Sequence, residues 1–148
     1  MNKLKVFFLM LCVAFTAASC CKEVAEDNWT NGVSFEPAEV TNVTSTSAEV
    51  TSRVTIRYDG SSLSIKKGIC FSETNEMPVV EDLVSYDPIS SNESIIGANV
   101  QVSQTTTITV TLNDLKPDTE YFARAFAIVN DTVYYGEVFK FKTLPYGK

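Results

Sequence analysis

The stretch that decides the fold is Leu112-Asn113-Asp114-Leu115-Lys116-Pro117-Asp118-Thr119-Glu120-Tyr121, toward the carboxyl terminus. Residue types alternate with a period of two before it, over residues 107–112, and again after it, over residues 121–128. Such alternation is typical of a half-buried antiparallel strand. The stretch is therefore predicted to be a corner that joins two strands, in which Leu115 fills the turn and Tyr121 begins the core face.

Short strands are predicted along the rest of the chain, and turn residues separate them. Asp59-Gly60-Ser61-Ser62 is expected to break the pattern, Asn130-Asp131 predicts a hairpin turn, and residues 72–99 give a weak signal. The predicted strands cover residues 33–36, 39–44, 48–57, 63–71, 107–112, 121–128 and 133–143. No segment has the 3.6-residue periodicity of a helix. The sequence therefore predicts an all-β fold, an antiparallel β-sandwich of about seven strands.

Residues 33–143 resemble a fibronectin type III domain of the variety common in Bacteroidetes lipoproteins. The most specific part of the resemblance is Leu115-x-Pro117-x-Thr119-x-Tyr121, and residues 40–48 and 67–72 also match. The final hairpin, from Tyr134-Tyr135-Gly136-Glu137 to Phe141, is similar as well. The resemblance implies an immunoglobulin-like sandwich, in which the tyrosine hydroxyl of the corner bonds to upstream backbone.

The amino terminus has the charged, apolar and small-residue order of a secretory signal. Two lysines precede an apolar run over residues 6–15, which is shorter than the roughly 20 residues of a membrane-spanning helix. We therefore expect a signal peptide over residues 1–19, a tether over 20–32, the sandwich over 33–143 and a tail over 144–148.

Ala17-Ala18-Ser19-Cys20 resembles the lipobox of bacterial lipoproteins. The resemblance implies cleavage before Cys20 and a diacylglycerol, carrying acyl chains such as palmitate, on its sulfur. Cleavage before Cys21 and ordinary signal-peptidase cleavage are the alternatives. The acidic stretch over residues 22–28 is similar to sequences associated with export to the outer surface. The expected location is thus the outer membrane, with the domain facing the cell surface.

Charge and composition argue against several classes of function. Net charge is −6, and removal of a signal that contains Lys3 and Lys5 leaves 10 basic and 18 acidic residues, or −8. Nucleic-acid binding needs a concentration of Lys and Arg that this chain does not supply. The sequence has no His and no Cys-x-x-Cys pair, which excludes common zinc sites and Cys-His nucleophiles. We expect no cofactor, no metal and no catalysis.

Cys70 and the acidic turn residues are expected to have structural roles, and a third feature resembles a modification site. Cys70 lies in an apolar strand and is expected to be a small buried hydrophobe, although Cys21 is available to pair with it. The acidic turn residues lack the spacing of a calcium loop. Asp131-Thr132-Val133 resembles the O-glycosylation sites of Bacteroidetes.

Two surfaces are candidates for binding. Phe122, Arg124 and Phe126 alternate with alanines and could meet a partner, although the rings are more simply explained by packing on neighbouring strands and on the stem of Arg124. Tyr134 and Tyr135, with Trp29, could stack on sugar rings. The predicted function is a non-catalytic, lipid-anchored module that mediates protein contacts. The alternative is a glycan-binding accessory lipoprotein of a polysaccharide-uptake system.

Overall fold

The structure, a computed structural model, describes residues 32–88 and 93–147, and it describes their side chains except at 61 and 93–101. These residues form eight strands and no helix: β1 Gly32–Phe35, β2 Glu39–Thr41, β3 Ala48–Ser72, β4 Leu83–Tyr86, β5 Glu93–Leu112, β6 Glu120–Val129, β7 Thr132–Tyr135 and β8 Phe139–Lys142. The predicted signal peptide, Cys20, Trp29 and the tether through residue 31 lie outside the described residues.

All strand pairings are antiparallel, and β3 belongs to both layers of the sandwich. Its first half pairs with β1, β2 and β5. Its second half pairs with β4 and β6, and β6 in turn pairs with β7 and β8. The predicted all-β antiparallel sandwich is thus confirmed, with eight strands in the described residues instead of about seven.

The core lies between the two layers and follows the period-two pattern of the sequence. In the first half of β3 the residues Ala48, Val50, Val54 and Ile56 are buried, whereas the intervening arginines are exposed. On β6 the core face is made of Tyr121, three alanines and Val129. The small alanines leave room for larger side chains from the opposite layer, such as Ile108 and Leu112 on β5.

The predicted corner between β5 and β6 is confirmed. The Tyr121 hydroxyl accepts a hydrogen bond of 2.9 Å from the backbone N–H of Lys116. Its ring stacks on Phe141 with centroids 5.6 Å apart, and Leu115 is buried beside it. Thr119 shapes the turn by donating from its hydroxyl to the Pro117 carbonyl at 2.8 Å. Asp114 and Asp118 have φ angles of 58° and 48°, a region that Asp tolerates better than most residues.

Three strand boundaries differ from the prediction. The expected break at residues 59–62 is wrong, because β3 continues through it with a register shift between Gly60 and Ser62. β5 begins at Glu93 instead of 107, since it pairs with β3 along this whole stretch and needs no apolar face to do so. The predicted last strand is two strands, β7 and β8, separated by residues 136–138.

Candidate functional site

Three of the predicted contact residues lie on the outward face of β6, away from the core. Arg124 is in register with Cys70 of β3, and Phe126 is in register with Gly68. A Cβ on Gly68 would lie 2.3 Å from the Ser85 carbonyl oxygen and 3.0 Å from the Phe126 ring. Glycine at position 68 therefore leaves room for the β4 backbone and for the end of the Phe126 ring.

The loop over residues 73–82 covers this outward face. Pro78 in the loop is buried, and its carbonyl oxygen accepts hydrogen bonds from Arg124 Nε and from Cys70 Sγ, the latter at 3.4 Å. The guanidinium carbon of Arg124 lies 3.9 Å from the centroid of the Tyr135 ring. The Tyr135 hydroxyl accepts from the backbone N–H of Val80 at 3.1 Å, which fastens the loop to β7.

The covering loop leaves little of the predicted surface accessible. Phe126 is 0% exposed and Arg124 is 8% exposed, while Phe122 is half-buried under Lys140 with its ammonium 5.4 Å from the ring centroid. These contacts match the simpler explanation of the aromatic pair by packing. A partner role for the three residues remains a prediction.

Tyr134 and Tyr135 lie on opposite faces of β7. Tyr134 packs against the hydrophobic core, whereas Tyr135 packs on Arg124 at the outward face. The structure therefore does not bring the two rings together into one platform. Trp29, the third ring of the predicted sugar site, lies outside the described residues.

Cys70 is fully buried beneath the covering loop and is a free cysteine. Burial raises the pKa of its thiol from 9.0 to about 11, and the nearby Arg124 guanidinium opposes part of this rise. A thiol in this state is protonated and shielded, and thus a poor nucleophile. The prediction that Cys70 is a small buried hydrophobe is confirmed.

The sequence reasoning missed a buried ion pair. Lys67 shares the inward phase of Ile65 and Ile69, and its ammonium lies 3.8 Å from Asp87 Oδ2, with both side chains about 95% buried. The ammonium also donates to Thr106 Oγ1 at 2.7 Å and to the Thr107 carbonyl at 2.8 Å. Lys67 lies midway between Ile65 and Ile69 in the same phase of the period-two alternation. This alternation would have predicted that Lys67 points inward.

The same pair closes the outer edge of β5. Asp87 accepts from the Thr109 backbone N–H at 3.2 Å, and Ser85 donates to the Thr111 carbonyl at 3.5 Å. Together with Lys67, these side chains satisfy backbone groups that a further strand would otherwise bind. Over residues 107–111, this edge of β5 is therefore closed to a further strand.

The opposite side of the sandwich holds a cavity between its two outer edges. Residues 36–38 interrupt the edge formed by β1 and β2, residues 136–138 interrupt the edge formed by β7 and β8, and the two interruptions enclose about 220 Å³. We call this cavity the edge groove. Its lining residues are Phe35, Glu36, Pro37, Ala38, Ser52, Ala125, Gly136, Glu137, Val138 and Phe139.

Close backbone packing forms the floor of the edge groove. A Cβ on Gly136 would lie 3.1 Å from the Phe35 side chain, so glycine permits the approach of the two edges. The Gly136 N–H donates to the Ala125 carbonyl at 2.8 Å, and the buried Ser52 hydroxyl donates to the Glu36 carbonyl at 3.1 Å. Residues 36–38 are thus hydrogen-bonded to β3, and residues 136–138 are hydrogen-bonded to β6.

The rim of the edge groove is acidic. Glu36 lies 3.6 Å from Arg53 in an exposed pair, whereas Glu137 is exposed and forms no ion pair with a described residue. Val138 is 36% exposed between them and the aromatic walls Phe35 and Phe139. The groove thus combines an apolar interior with negative charge at its mouth.

The groove residues were not predicted, although the sequence contains a signal for them. Pro37 ends the first predicted strand, and Gly136 lies inside the last one. Proline and glycine inside edge strands often mark bends or places where another backbone approaches closely. The sequence does not show that the two interruptions meet, because they are 99 positions apart and belong to different layers.

No metal site is indicated in residues 32–88 and 93–147, where no group of three or more His, Cys, Asp or Glu is placed to hold an ion. Asp118, one of the acidic turn residues, instead pairs with Lys142 at 2.8 Å. The hydrogen bond to Asp118 raises the pKa of Lys142. Within the same residues, no helix is long and apolar enough to cross a membrane.

Comparison with known proteins supports the fold class only. No protein family and no curated protein matches the sequence. The structure is similar to the sensor domain of the anti-sigma factor RsgI4 of Pseudobacteroides cellulosolvens, with 22% identity and a TM-score of 0.40 over 78% of this chain and 95% of that one. It is also similar to the third fibronectin III domain of human KIAA0343 protein, with 15% identity and a TM-score of 0.41 over 83% and 90% of the two chains.

These structural neighbours are fibronectin III-like β-sandwich domains. Identities below 25% and TM-scores below 0.5 carry no ligand or partner over to this chain. The fold described above rests on this chain's own strand pairing and on the hydrogen bond of the Tyr121 corner.

Proposed function

We propose that this chain is a lipid-anchored, extracytoplasmic and non-catalytic module that mediates protein contacts at the outer membrane, on the cell surface of a bacterium of the Bacteroidetes type. The observation that carries the proposal is the edge groove, an apolar opening with an acidic rim on a side of the sandwich that no other strand of the described residues covers. Apolar walls with a few polar groups at the mouth are typical of binding sites.

The amino-terminal sequence supports the anchor. Ala17-Ala18-Ser19-Cys20 supplies the lipobox, and β1 begins at Gly32, so 12 residues, 20–31, would link the lipid to the sandwich. Extended residues span at most about 3.5 Å each. A tether of this length holds the domain within tens of ångströms of the membrane surface, where a partner in the same envelope is within reach.

Recognition of glycans has less support than recognition of protein. Stacking on sugars requires exposed aromatic rings side by side, and Tyr134 and Tyr135 occupy opposite faces of β7. The edge groove instead presents Phe35 and Phe139 as half-buried walls beside two strand edges that no described residue pairs with. Such edges offer backbone groups that polypeptides bind readily.

The anchor is tested by Cys20→Ala, with Cys21→Ala as the matched control. We expect Cys20→Ala to abolish labelling by a radioactive fatty acid and partitioning into detergent, and Cys21→Ala to leave both unchanged. Labelling that persists in Cys20→Ala would contradict the anchor.

Contact through the groove is tested by a photo-reactive benzoylphenylalanine placed at Val138 in the full chain on intact cells. The same group at Thr105, which is exposed on the other layer, serves as the control. We expect a discrete protein adduct from position 138 and none from position 105. Equal adduct patterns from the two positions would argue against the groove as the contact surface.

A further inference from the structure

We propose that the edge groove binds an extended segment of a partner polypeptide in which an apolar side chain lies next to a lysine or arginine. This inference rests on the proposed function and specifies the chemistry of the partner. It is drawn from the shape of the groove, from the strand edges that border it and from the charge of its rim.

The shape of the groove selects a side chain rather than a flat surface. The cavity of about 220 Å³ is bounded by Phe35 and Phe139 at its sides and reaches the buried Ala125 and Ser52 at its floor. A volume of this size accommodates one or two aliphatic side chains. The apolar part of the ligand is thus expected to be a Val, Leu, Ile or Met inserted between the two layers.

The borders of the groove select an extended backbone. Among the described residues, β1 and β2 pair only with β3, and β7 and β8 pair only with β6, so each pair of strands has one unpaired edge. The interruptions at residues 36–38 and 136–138 lie along these edges. An extended segment can donate to and accept from such edges while its alternate side chains point into a pocket.

The rim selects positive charge beside the apolar residue. Glu36 and Glu137 line the mouth, and Glu39 follows on β2. In the part of the chain that the structure describes, Arg53 is within ion-pair distance of Glu36 alone, and the chain as a whole carries a net charge of −6. Lysine or arginine on either side of the inserted residue would meet these carboxylates, and the attraction would accelerate encounter.

A second copy of this chain fits the groove poorly. Two copies that met through the same groove would bring Glu36 and Glu137 of one copy against the same residues of the other, and like charges in contact are unfavourable. The exposed lysines of β8, Lys140 and Lys142, already lie 3.7 Å from Glu120 and 2.8 Å from Asp118. A different, basic polypeptide is therefore the occupant that the groove favours.

The inference is tested by fluorescence polarisation with three labelled peptides and the full chain carrying Cys20→Ala. The central sequences of the peptides are Lys-Val-Leu-Val-Lys, Glu-Val-Leu-Val-Glu and Lys-Ser-Ser-Ser-Lys. We expect the first to bind about tenfold or more tightly than either of the others, and its binding to weaken as salt is added. Equal affinity for the three peptides would overturn the inference.

Two substitutions show whether the peptide occupies the groove. Glu137→Lys should weaken binding of the Lys-Val-Leu-Val-Lys peptide by about tenfold, whereas Glu76→Lys, the same charge change at an exposed position of the covering loop, should leave it within about twofold. Both residues are exposed, so neither substitution disturbs the core. An equal effect of the two substitutions would mean that net charge alone governs binding, and would overturn the inference.

The cross-linking experiment at Val138 separates this inference from the proposed function. It captures a contacting protein whatever its chemistry. If the captured segment contains an apolar residue next to lysine or arginine, the inference is supported. If a protein is captured through an acidic or purely polar segment, the protein-contact function stands and the inference about the ligand is wrong.

Discussion

At the scale of single residues, Tyr121 does the most to fix the connection between the two layers. Its ring packs between Phe71 and Phe141, and its hydroxyl satisfies the backbone N–H of Lys116 in the corner. Thr143 donates to the Lys116 carbonyl at 2.6 Å and accepts from the Thr119 N–H at 3.0 Å, so the corner is also bound to the end of β8. One buried residue thus holds a turn that its neighbours alone would not fix.

Tyr121→Phe should lower the free energy of unfolding by about 1 to 3 kcal/mol, because it leaves the Lys116 N–H in the corner without its acceptor. Urea denaturation followed by circular dichroism measures the change. Tyr146→Phe is the matched control, since Tyr146 is 85% exposed, and it should change the free energy by less than about 0.5 kcal/mol. Equal midpoints for wild type and Tyr121→Phe would mean that the hydroxyl does not stabilise the corner.

Cys70 should make stability fall at alkaline pH. Its thiol pKa is about 11 in the folded protein against 9.0 as the ordinary value, so the folded state binds the proton more tightly than the unfolded chain. The stabilisation is complete below pH 9 and is lost as the pH rises toward 11. Between these pH values, the free energy of unfolding of the wild-type protein should fall by up to about 2 kcal/mol more than that of the Cys70→Ala variant.

The measurement for Cys70 is urea denaturation at both ends of this pH interval, in a reducing buffer and in chains whose other cysteines are serine. The Cys70→Ala chain is the control, because the two proteins differ only at residue 70. Parallel dependence of stability on pH in the two proteins would show that burial of Cys70 has no energetic consequence.

At the scale of secondary-structure elements, the strand edges on the two sides of the sandwich differ in what contacts them. On one side, side chains of β3 and β4 and of Asp87 bind the edge of β5, whereas the other side keeps the edge groove. A bare edge of 20 residues such as β5 would pair with other chains. These side chains therefore protect the edge of β5 over residues 107–111.

The ion pair between Lys67 and Asp87 should show strong coupling. Lys67→Met or Asp87→Ala alone should destabilise the protein by about 3 to 5 kcal/mol, because each removes the ion-pair partner of a buried charge. The double variant should be destabilised by clearly less than the sum of the two. Urea denaturation of the four proteins of this double-mutant cycle measures the coupling.

Arg53 and Glu36 form the matched control for that cycle. Their side chains are 56% and 54% exposed, and the coupling between them should be below about 1 kcal/mol. If the buried pair coupled no more strongly than the exposed pair, the proposed closure of the β5 edge would be contradicted.

At the scale of the whole molecule, β3 makes the two layers into one cooperative unit. Because it pairs with strands of both, the hydrogen-bonded network is continuous through all eight strands of the described residues. Neither layer has a complete set of partners without the other, and the core side chains of the two layers are in mutual contact. Small domains of this kind usually unfold in a single transition.

We expect the urea transitions followed by far-ultraviolet circular dichroism and by tyrosine fluorescence to coincide. Ile69→Ala, at a fully buried position in the second half of β3, should shift both transitions together by about 2 to 5 kcal/mol. Leu83→Ala, at a position that is 57% exposed, is the control and should shift neither by more than about 0.5 kcal/mol. Two separated transitions would show that the layers unfold independently.

Much of the fold could be predicted from local patterns. The alternation over residues 48–57 and 121–128 placed the core faces correctly, and the positive φ angles of Asn130 and Asp131, 46° and 67°, match the predicted hairpin turn. The continuation of β3 through residues 59–62 could not be predicted, because Gly and Ser carry turn signals. Pairing with the distant β5 overrides those signals.

By itself, the sequence determined the all-β class, the core faces of the strands and the corner at Tyr121, because each depends on residues close together in the chain. Only the tertiary structure decided which surfaces remain open. The covering loop buries Arg124 and Phe126, and Lys67 meets Asp87 from a different strand. The edge groove likewise forms where Gly136 of the β7–β8 edge approaches Phe35, a contact between residues about 100 positions apart in the chain.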